Sequence, residues 1–280
     1  MAQRSNRALV VVLTIAIVAV GGGLALKALW NTAKSHLASD TCTVGGGDYV
    51  IDTDQASVAA AMVGAVTRYR VALPERATVL VLAAALQESK LTNLAPGEGD
   101  RDSVGVLQQR PSQGWGNGNA AALTDVGEAT TEFLDALVDV PHWRTRPLAA
   151  AVQAVQISAD GSAYAQHEPE AKALADALQG KKREGITCDF EKPTVVATAA
   201  KVADQASSEL GIDTPQVVDQ LTVRVPGAHW QTVAWFVANA NRLGIERVAY
   251  AEREWSRTDG WQSGTASRQA VVATMYDLGK

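Results

Sequence analysis

The chain has few of the residues from which metal centres and nucleic-acid interfaces are built. Its 280 residues include only four histidines and two cysteines. No group of them has the spacing of metal ligands, which argues against a zinc enzyme. The formal net charge is −5, whereas nucleic-acid binding requires a basic face. We therefore expect no metal, no other cofactor and no nucleic-acid partner.

Charged residues are absent from residues 8–26. At about 1.5 Å rise per residue, a helix of this length spans roughly 28 Å, close to the hydrocarbon thickness of a bilayer. Arg4 and Arg7 precede it, which favours a cytoplasmic N-terminus. We expect residues 1–30 to form a cytoplasmic tail and a single transmembrane helix, with the bulk of the chain on the cell-wall side. A cleaved signal peptide is the alternative, and it also exports the remainder.

The two cysteines, Cys42 and Cys188, lie far apart in the sequence. In an exported chain such a pair indicates one disulfide. The bridge would close a long loop, for which the chain-entropy model gives about 4–5 kcal/mol. Two free thiols are the alternative.

Helical spacing of apolar residues dominates the rest of the sequence, so we expect a mainly α fold. Residues 31–51 are assigned to a stalk, residues 52–188 to a helical domain and residues 193–280 to a small C-terminal α+β domain. In the helical domain, helices are predicted over 54–70, 74–89, 125–138, 148–157 and 168–178. In the α+β domain, helices are predicted over 194–210 and 229–244, and strands over 244–251, 253–257 and 270–278.

Glu88 is the main candidate for a catalytic group. It lies at the end of the predicted helix over 74–89, which is apolar nearly all round and is therefore expected to be buried. Burial and the negative end of the helix dipole both favour a protonated carboxyl there, which suits a general acid.

The residues around Glu88 form an ordered motif. Glu88-Ser89 is followed by an acidic loop and then by Gly105-Val106-Leu107-Gln108. This order resembles the lytic transglycosylase and goose-type lysozyme family, which has Glu-Ser at the end of a buried helix and a Gly-Leu-Met-Gln-like segment after it. The string QESKLTNLAPGEGDRDSVGVLQQRPSQGWG is similar to a lysozyme-like domain of actinobacterial cell-wall proteins. The resemblance covers about residues 52–180.

The resemblance implies a lysozyme-like helical domain that cleaves the MurNAc–GlcNAc bond of peptidoglycan. Glu88 would protonate the glycosidic oxygen and then act as base on the C6 hydroxyl of MurNAc, which yields a 1,6-anhydro product. Ser89 would orient this acid. Ser103, Gln108 and Gln109 would line the glycan groove.

The sequence departs from the family pattern at a later motif. The family has Ala-Tyr-Asn on a helix, where the tyrosine lies near the glutamate, whereas the best match here is Ala154-Val155-Gln156. Valine has no hydrogen-bond donor, so this support is either absent or comes from elsewhere. The candidates are the amides of Gln153 and Gln156 and the phenol of Tyr164, with helix surface as the alternative for all three.

The acidic loop allows a second reaction outcome. Asp102 adjoins the 103–109 segment and is our candidate for a second catalytic carboxylate, which would make the enzyme a muramidase. In glycosidases such pairs lie about 5–5.5 Å apart in retaining enzymes and about 6.5–9.5 Å apart in inverting ones. A loop-capping aspartate is the alternative reading of Asp102. Trp115, among glycines, is expected either to stack on a sugar ring or to pack over the loop.

The C-terminal domain is predicted to be accessory. Trp255 and Trp261 flank a predicted turn, where exposed aromatic residues would indicate glycan or protein binding. The expected partners of the whole chain are peptidoglycan glycan strands, the membrane, and proteins of an envelope, secretion or conjugation apparatus. A catalytically inactive glycan-binding or scaffold protein is the alternative from a different class.

Overall fold

Two antiparallel sheets accompany the helices in this computed structural model, which describes residues 40–158, 160–213 and 215–279. Among these residues 45% are helical and 18% lie in strands or bridges. The expectation of a mainly α chain is therefore wrong, and the fold is mixed α/β. The sequence pattern missed the strands that flank the helical region because each is only four residues long. The predicted transmembrane helix lies outside the described residues.

The helices match most of the sequence-based expectations. They are α1 (Thr53–Arg68), α2 (Glu75–Ser89), α3 (Ala120–Leu123), α4 (Val126–Asp139), α5 (Leu148–Gln156), α6 (Glu168–Leu178), α7 (Ala199–Leu210), α8 (Trp230–Ala238) and α9 (Ala240–Leu243). Short 3-10 helices cover Pro111–Gln113, Trp115–Gly118 and Gly161–His167. No helix in the described part of the chain combines the length and apolar character needed to cross a bilayer.

Helix α2 forms the centre of the helical layer. Nine of its residues are buried, from Ala77 to Leu86, which confirms the burial predicted from its apolar sequence. It packs against α1, α4, α5 and α6. The helix that ends in Glu88-Ser89 is therefore enclosed by four neighbouring helices.

A three-stranded sheet closes one side of this layer. Strands β1 (Thr41–Val44), β2 (Tyr49–Asp52) and β3 (Ile186–Asp189) are arranged in the order β2-β1-β3. Cys42 and Cys188 are direct cross-strand partners and form a disulfide, with a Cα–Cα distance of 3.9 Å. This confirms the predicted bridge. The β1–β2 hairpin falls within the segment that the sequence assigns to the stalk.

The C-terminal part contains a six-stranded antiparallel sheet. Its strands are β4 (Gln216–Val217), β5 (Thr222–Pro226), β6 (Ile245–Tyr250), β7 (Arg253–Ser256), β8 (Gly260–Ser263) and β9 (Ala270–Met275). Their order in the sheet is β4-β5-β9-β6-β7-β8. Strands β6, β7 and β9 correspond to predicted strands, whereas β4, β5 and β8 were not predicted.

Two tryptophans connect this sheet to β3. Trp255 is fully buried and its indole Nε1 donates a hydrogen bond to Cys188 O at 3.2 Å. Trp261 is half-buried and donates to Ile186 O at 2.8 Å. These contacts assign both side chains to packing between sheets, rather than to the exposed surface that would indicate a partner.

Helical and C-terminal regions pack together along α1. A Cβ added to Gly64 would lie 2.1 Å from Glu209 O, so only glycine permits this approach of α1 to α7. Residues Asp40–Lys280 form one compact unit. The boundary that the sequence places between residues 188 and 193 stays a prediction.

A buried arginine joins the linker after β3 to the six-stranded sheet. Arg257 is 2% exposed, and all five of its N–H donors are engaged. The acceptors are the carbonyl oxygens of Glu191, Ala240 and Ile245 and the side chain of Asn241. Since every donor is satisfied, this charge is accommodated without a buried carboxylate.

Candidate active site

Glu88 lies in the last turn of α2 and is half-buried. The helix ends directly after it because Lys90 and Leu91 both adopt left-handed backbone conformations, with φ of 56° and 60°. Their amides bond back to Leu86 O and Ala85 O. The chain turns away at this point and leaves the Glu88 carboxyl at the end of a rigid buried helix.

Tyr164 is the residue that contacts Glu88. It is fully buried in the 3-10 helix Gly161–His167, and its hydroxyl donates a short hydrogen bond to Glu88 Oε1. Burial, together with this bond to the Glu88 carboxylate, raises the pKa of the Tyr164 phenol above its usual range. A contact with Ser158 acts in the opposite direction. The phenol therefore stays protonated and keeps its donor.

A second set of hydrogen bonds joins this 3-10 helix to α2, and these bonds were not predicted from the sequence. Gln87 Oε1 lies 3.0 Å from His167 Nε2 and accepts a hydrogen bond from Gln166 Nε2 at 3.2 Å. Burial lowers the pKa of the His167 imidazole, and a neutral ring with a proton on Nε2 fits the acceptor on Gln87. The only sequence signal was the position of Gln87 next to Glu88.

The segment 104–109 forms a further wall of the site. Ser89 Oγ donates to Val106 O at 2.7 Å, and Gln156 Nε2 donates to Leu107 O at 2.9 Å. Gly105 has φ of 75°, and a Cβ there would lie 2.1 Å from Leu123 O. The ends of α2 and α5 thus hold this segment beside Glu88, where Ser89 and Gln156 act as positioning residues.

The remaining polar residues predicted for the groove differ in accessibility. Gln108 is part-buried, has φ of 49° and folds its side chain back onto Gly105 O at 2.8 Å. Gln109 is 2% exposed and donates to Ala129 O of α4. Ser103 is also buried. Of these three residues, only Gln108 retains surface for a substrate in this conformation.

Asp102 is held within its own loop. Its Oδ1 accepts from Arg110 Nε at 2.7 Å and its Oδ2 accepts from Ser112 N at 2.8 Å. Hydrogen bonds from Ser112 and the Arg110 guanidinium hold the pKa of the Asp102 carboxyl far below its usual range. A carboxylate with a strongly lowered pKa is a weak general base. The geometry fits a loop-stabilising aspartate.

Trp115 begins the short 3-10 helix Trp115–Gly118, next to Gly114, which has φ of 97°. Its side chain is partly buried and packs against the hydrophobic core. This placement matches the packing alternative predicted for it, with part of the ring still accessible.

A separate groove lies elsewhere in the structure. A groove of about 980 Å³ runs between α1, α4 and α7, and Glu88, Tyr164 and Gln108 are not among its lining residues. Its lining includes Glu132, and also Glu209, which is paired with Arg242. We place the candidate site at Glu88 rather than in this groove because a buried phenol bonds there to an acid at a helix end.

The described residues contain no metal-binding cluster, and the comparisons with protein families and curated proteins find no match. Among the described residues, no cluster of His, Cys, Asp and Glu side chains has an arrangement that could hold a metal ion. No protein-family model matches the chain, and no curated protein is detectably similar to it.

Tyr164→Phe tests the hydrogen bond to Glu88. The substitution removes one oxygen and leaves the buried ring in place. We expect a fall in kcat of about 10–100-fold, because a hydrogen bond to a charged group contributes about 1.5–3 kcal/mol. The measurement is the rate of clearing of a peptidoglycan suspension. An unchanged kcat, with normal circular dichroism, would show that the phenol has no part in the reaction.

Asp102→Asn tests the second carboxylate. We expect the variant to lose one hydrogen bond in the loop and to retain activity within about tenfold of the wild type, well below the 10²–10⁴-fold usual for a general acid or base. The control is Asp100→Asn, at an exposed position in the same loop. A loss of about 10³-fold or more in Asp102→Asn alone would favour the muramidase mechanism instead.

Proposed function

We propose that this protein is a peptidoglycan lytic enzyme that cleaves the MurNAc–GlcNAc bond as a lytic transglycosylase with one catalytic glutamate, Glu88. The observation that supports it most is the hydrogen bond from buried Tyr164 to Glu88 at the end of α2. The family pattern requires a tyrosine near the glutamate, and the local motif at residues 154–156 does not supply one. Tyr164, eight residues beyond Gln156, supplies it from another segment.

The proposed reaction uses Glu88 twice. Protonated Glu88 donates its proton to the glycosidic oxygen as the bond from that oxygen to C1 of MurNAc breaks. The resulting carboxylate then removes the proton of the C6 hydroxyl, whose oxygen attacks C1 and closes the 1,6-anhydro ring. Glu88 ends protonated, as it began. Because Tyr164 engages Oε1, the other carboxylate oxygen is the one available to the substrate.

Two observations weigh against the alternatives. Hydrolysis with Asp102 as second carboxylate requires a basic oxygen there, whereas the hydrogen bonds from Ser112 and Arg110 lower the pKa of the Asp102 carboxyl. An inactive glycan-binding or scaffold protein was suggested by the valine at residue 155 and by the extra C-terminal domain. The hydrogen bond from Tyr164 to Glu88 weighs against the first of these two reasons.

The proposal includes a location outside the cell membrane, next to the newest cell wall, with residues 1–30 as the anchor. The Cys42–Cys188 disulfide supports it, because such bridges persist in oxidising compartments. Glycan strands are the proposed substrate, and opening the wall locally would suit partners from an envelope, secretion or conjugation apparatus.

The proposal is tested with the full chain purified in detergent and incubated with purified peptidoglycan. We expect a steady fall in turbidity and the appearance of soluble muropeptides. Heat-denatured protein is the control for release without catalysis. If the native protein released no more muropeptide than the denatured control across a range of pH and salt, the proposed enzyme activity would be wrong.

A further inference from the structure

Ile157 is unusual both in its backbone conformation and in the exposure of its side chain. It directly follows α5 and adopts the left-handed conformation, with φ of 51° and ψ of 40°. Glycine or asparagine is the usual residue at this position, and a β-branched side chain is strongly disfavoured there. The same side chain is 81% exposed. An isoleucine at this point therefore adds backbone strain and gains little burial within the chain.

The turn around Ile157 is held on both sides. Gln153 Nε2 donates to Ser158 O at 2.8 Å, and Ser158 Oγ donates to Gln153 Oε1 at 2.7 Å. The Ile157 amide bonds to Gln153 O at 2.9 Å. A strained residue persists only where its surroundings determine its conformation, and such residues cluster at functional sites.

The neighbours of Ile157 place it at the rim of the candidate active site. Gln156, immediately before it, bonds to Leu107 O in the wall beside Glu88. Ser158, immediately after it, contacts the Tyr164 phenol that bonds to Glu88. The exposed apolar side chain thus stands between two residues that build the site.

We propose that Ile157 is a substrate-contacting residue that packs against a methyl-bearing substituent of the bound amino sugar. The chemistry is a small aliphatic surface between the polar residues Gln156 and Ser158, which suits an acetamido methyl or a lactyl methyl. The proposal rests on the proposed function, since it assigns a contact within the same glycan site. In the free protein the hydrogen bonds around Gln153 hold the strained conformation, and the side chain would lose its exposure when substrate binds.

Ile157→Gly tests this assignment through binding and stability together. Glycine accepts the left-handed backbone, so we expect the Tm to stay unchanged or to rise by up to about 2 °C. Loss of the apolar contact is expected to weaken glycan binding about tenfold. Binding is measured in a Glu88→Gln background, where turnover does not interfere, with purified peptidoglycan strands and with a hexamer of N-acetylglucosamine as probes.

His142→Gly is the matched control. His142 is exposed and has φ of 60°, in the connection between α4 and α5. The His142→Gly variant should show the same small change in Tm as Ile157→Gly but bind glycan like the parent protein. This comparison separates relief of backbone strain from loss of a substrate contact.

The outcomes separate a failure of the Ile157 assignment from a failure of the proposed function. Equal weakening with both probes identifies the acetamido methyl, and weakening with peptidoglycan alone identifies the lactyl group. Unchanged binding of both probes, or a Tm lowered by more than about 2 °C, overturns the assignment of Ile157 and leaves the proposed function intact. If the parent protein bound neither probe and released no muropeptides, the proposed function and this inference would both fail.

Discussion

The Glu88→Gln variant is expected to cleave peptidoglycan about 10²–10⁴ times more slowly than the wild type, the range usual for loss of a general acid or base. Glutamine keeps the size of the side chain and can still accept the Tyr164 hydrogen bond, so the fold should be preserved. It cannot supply a proton to the glycosidic oxygen. Initial rates of muropeptide release, measured at matched protein concentration, give the ratio.

Glu132→Gln is the control for this experiment. Glu132 is also a partly buried glutamate on a helix, but it lines the groove between α1, α4 and α7. If chemistry occurs at Glu88, Glu132→Gln retains near wild-type activity. The reverse pattern, with Glu88→Gln active and Glu132→Gln inactive, would move the active site to that groove.

Removal of the disulfide has the second large expected effect. Cys42 and Cys188 are 146 residues apart in sequence and both buried. We expect the free energy of unfolding of the Cys42→Ala/Cys188→Ala double variant to fall by about 4–5 kcal/mol. The reason is that the unfolded chain without the bridge has a higher conformational entropy. Urea unfolding followed by tryptophan fluorescence measures this loss as a shift of the midpoint.

Unfolding of the wild type with and without reductant is the matched comparison. Reductant should shift the wild-type midpoint toward that of the double variant and leave the variant unchanged. The slope of the transition should be compared as well, since a changed slope reports a change in the compactness of the unfolded state. Coincident midpoints for oxidised wild type and double variant would contradict a stabilising bridge.

The helices were predictable from sequence because their signals are local. The helix predicted over 125–138 corresponds to α4, although Asp125, predicted as its first residue, is the N-cap and accepts a hydrogen bond from Glu128 N. Helix α1 begins at Thr53, one residue before its predicted start at Asp54, and Asp52 and Gln55 form its capping box. The short strands β1, β2 and β3 were missed because each is only four residues long, and the partner of β3 also lies far away in sequence.

The candidate site was predictable only in part, for a similar reason. Glu88 and Ser89 belong to one recognisable motif, and the later tyrosine was expected near them. The Gln87–His167 contact spans 80 residues and has no local signature. Asp102 was assigned a catalytic role because its ion pair with Arg110, eight residues further on, has no signature in the sequence. The pair is visible only in the tertiary structure.

The chemical identity of the reaction products tests the central claim most directly. Muropeptides released from purified peptidoglycan by the wild-type chain should be analysed by mass spectrometry, with Glu88→Gln in parallel. Transfer to the C6 hydroxyl predicts 1,6-anhydro-MurNAc ends that are lighter by one water than hydrolysis products and resist borohydride reduction. Reducing MurNAc ends from the wild type, or anhydro products from Glu88→Gln at the wild-type rate, would contradict a one-glutamate transglycosylase.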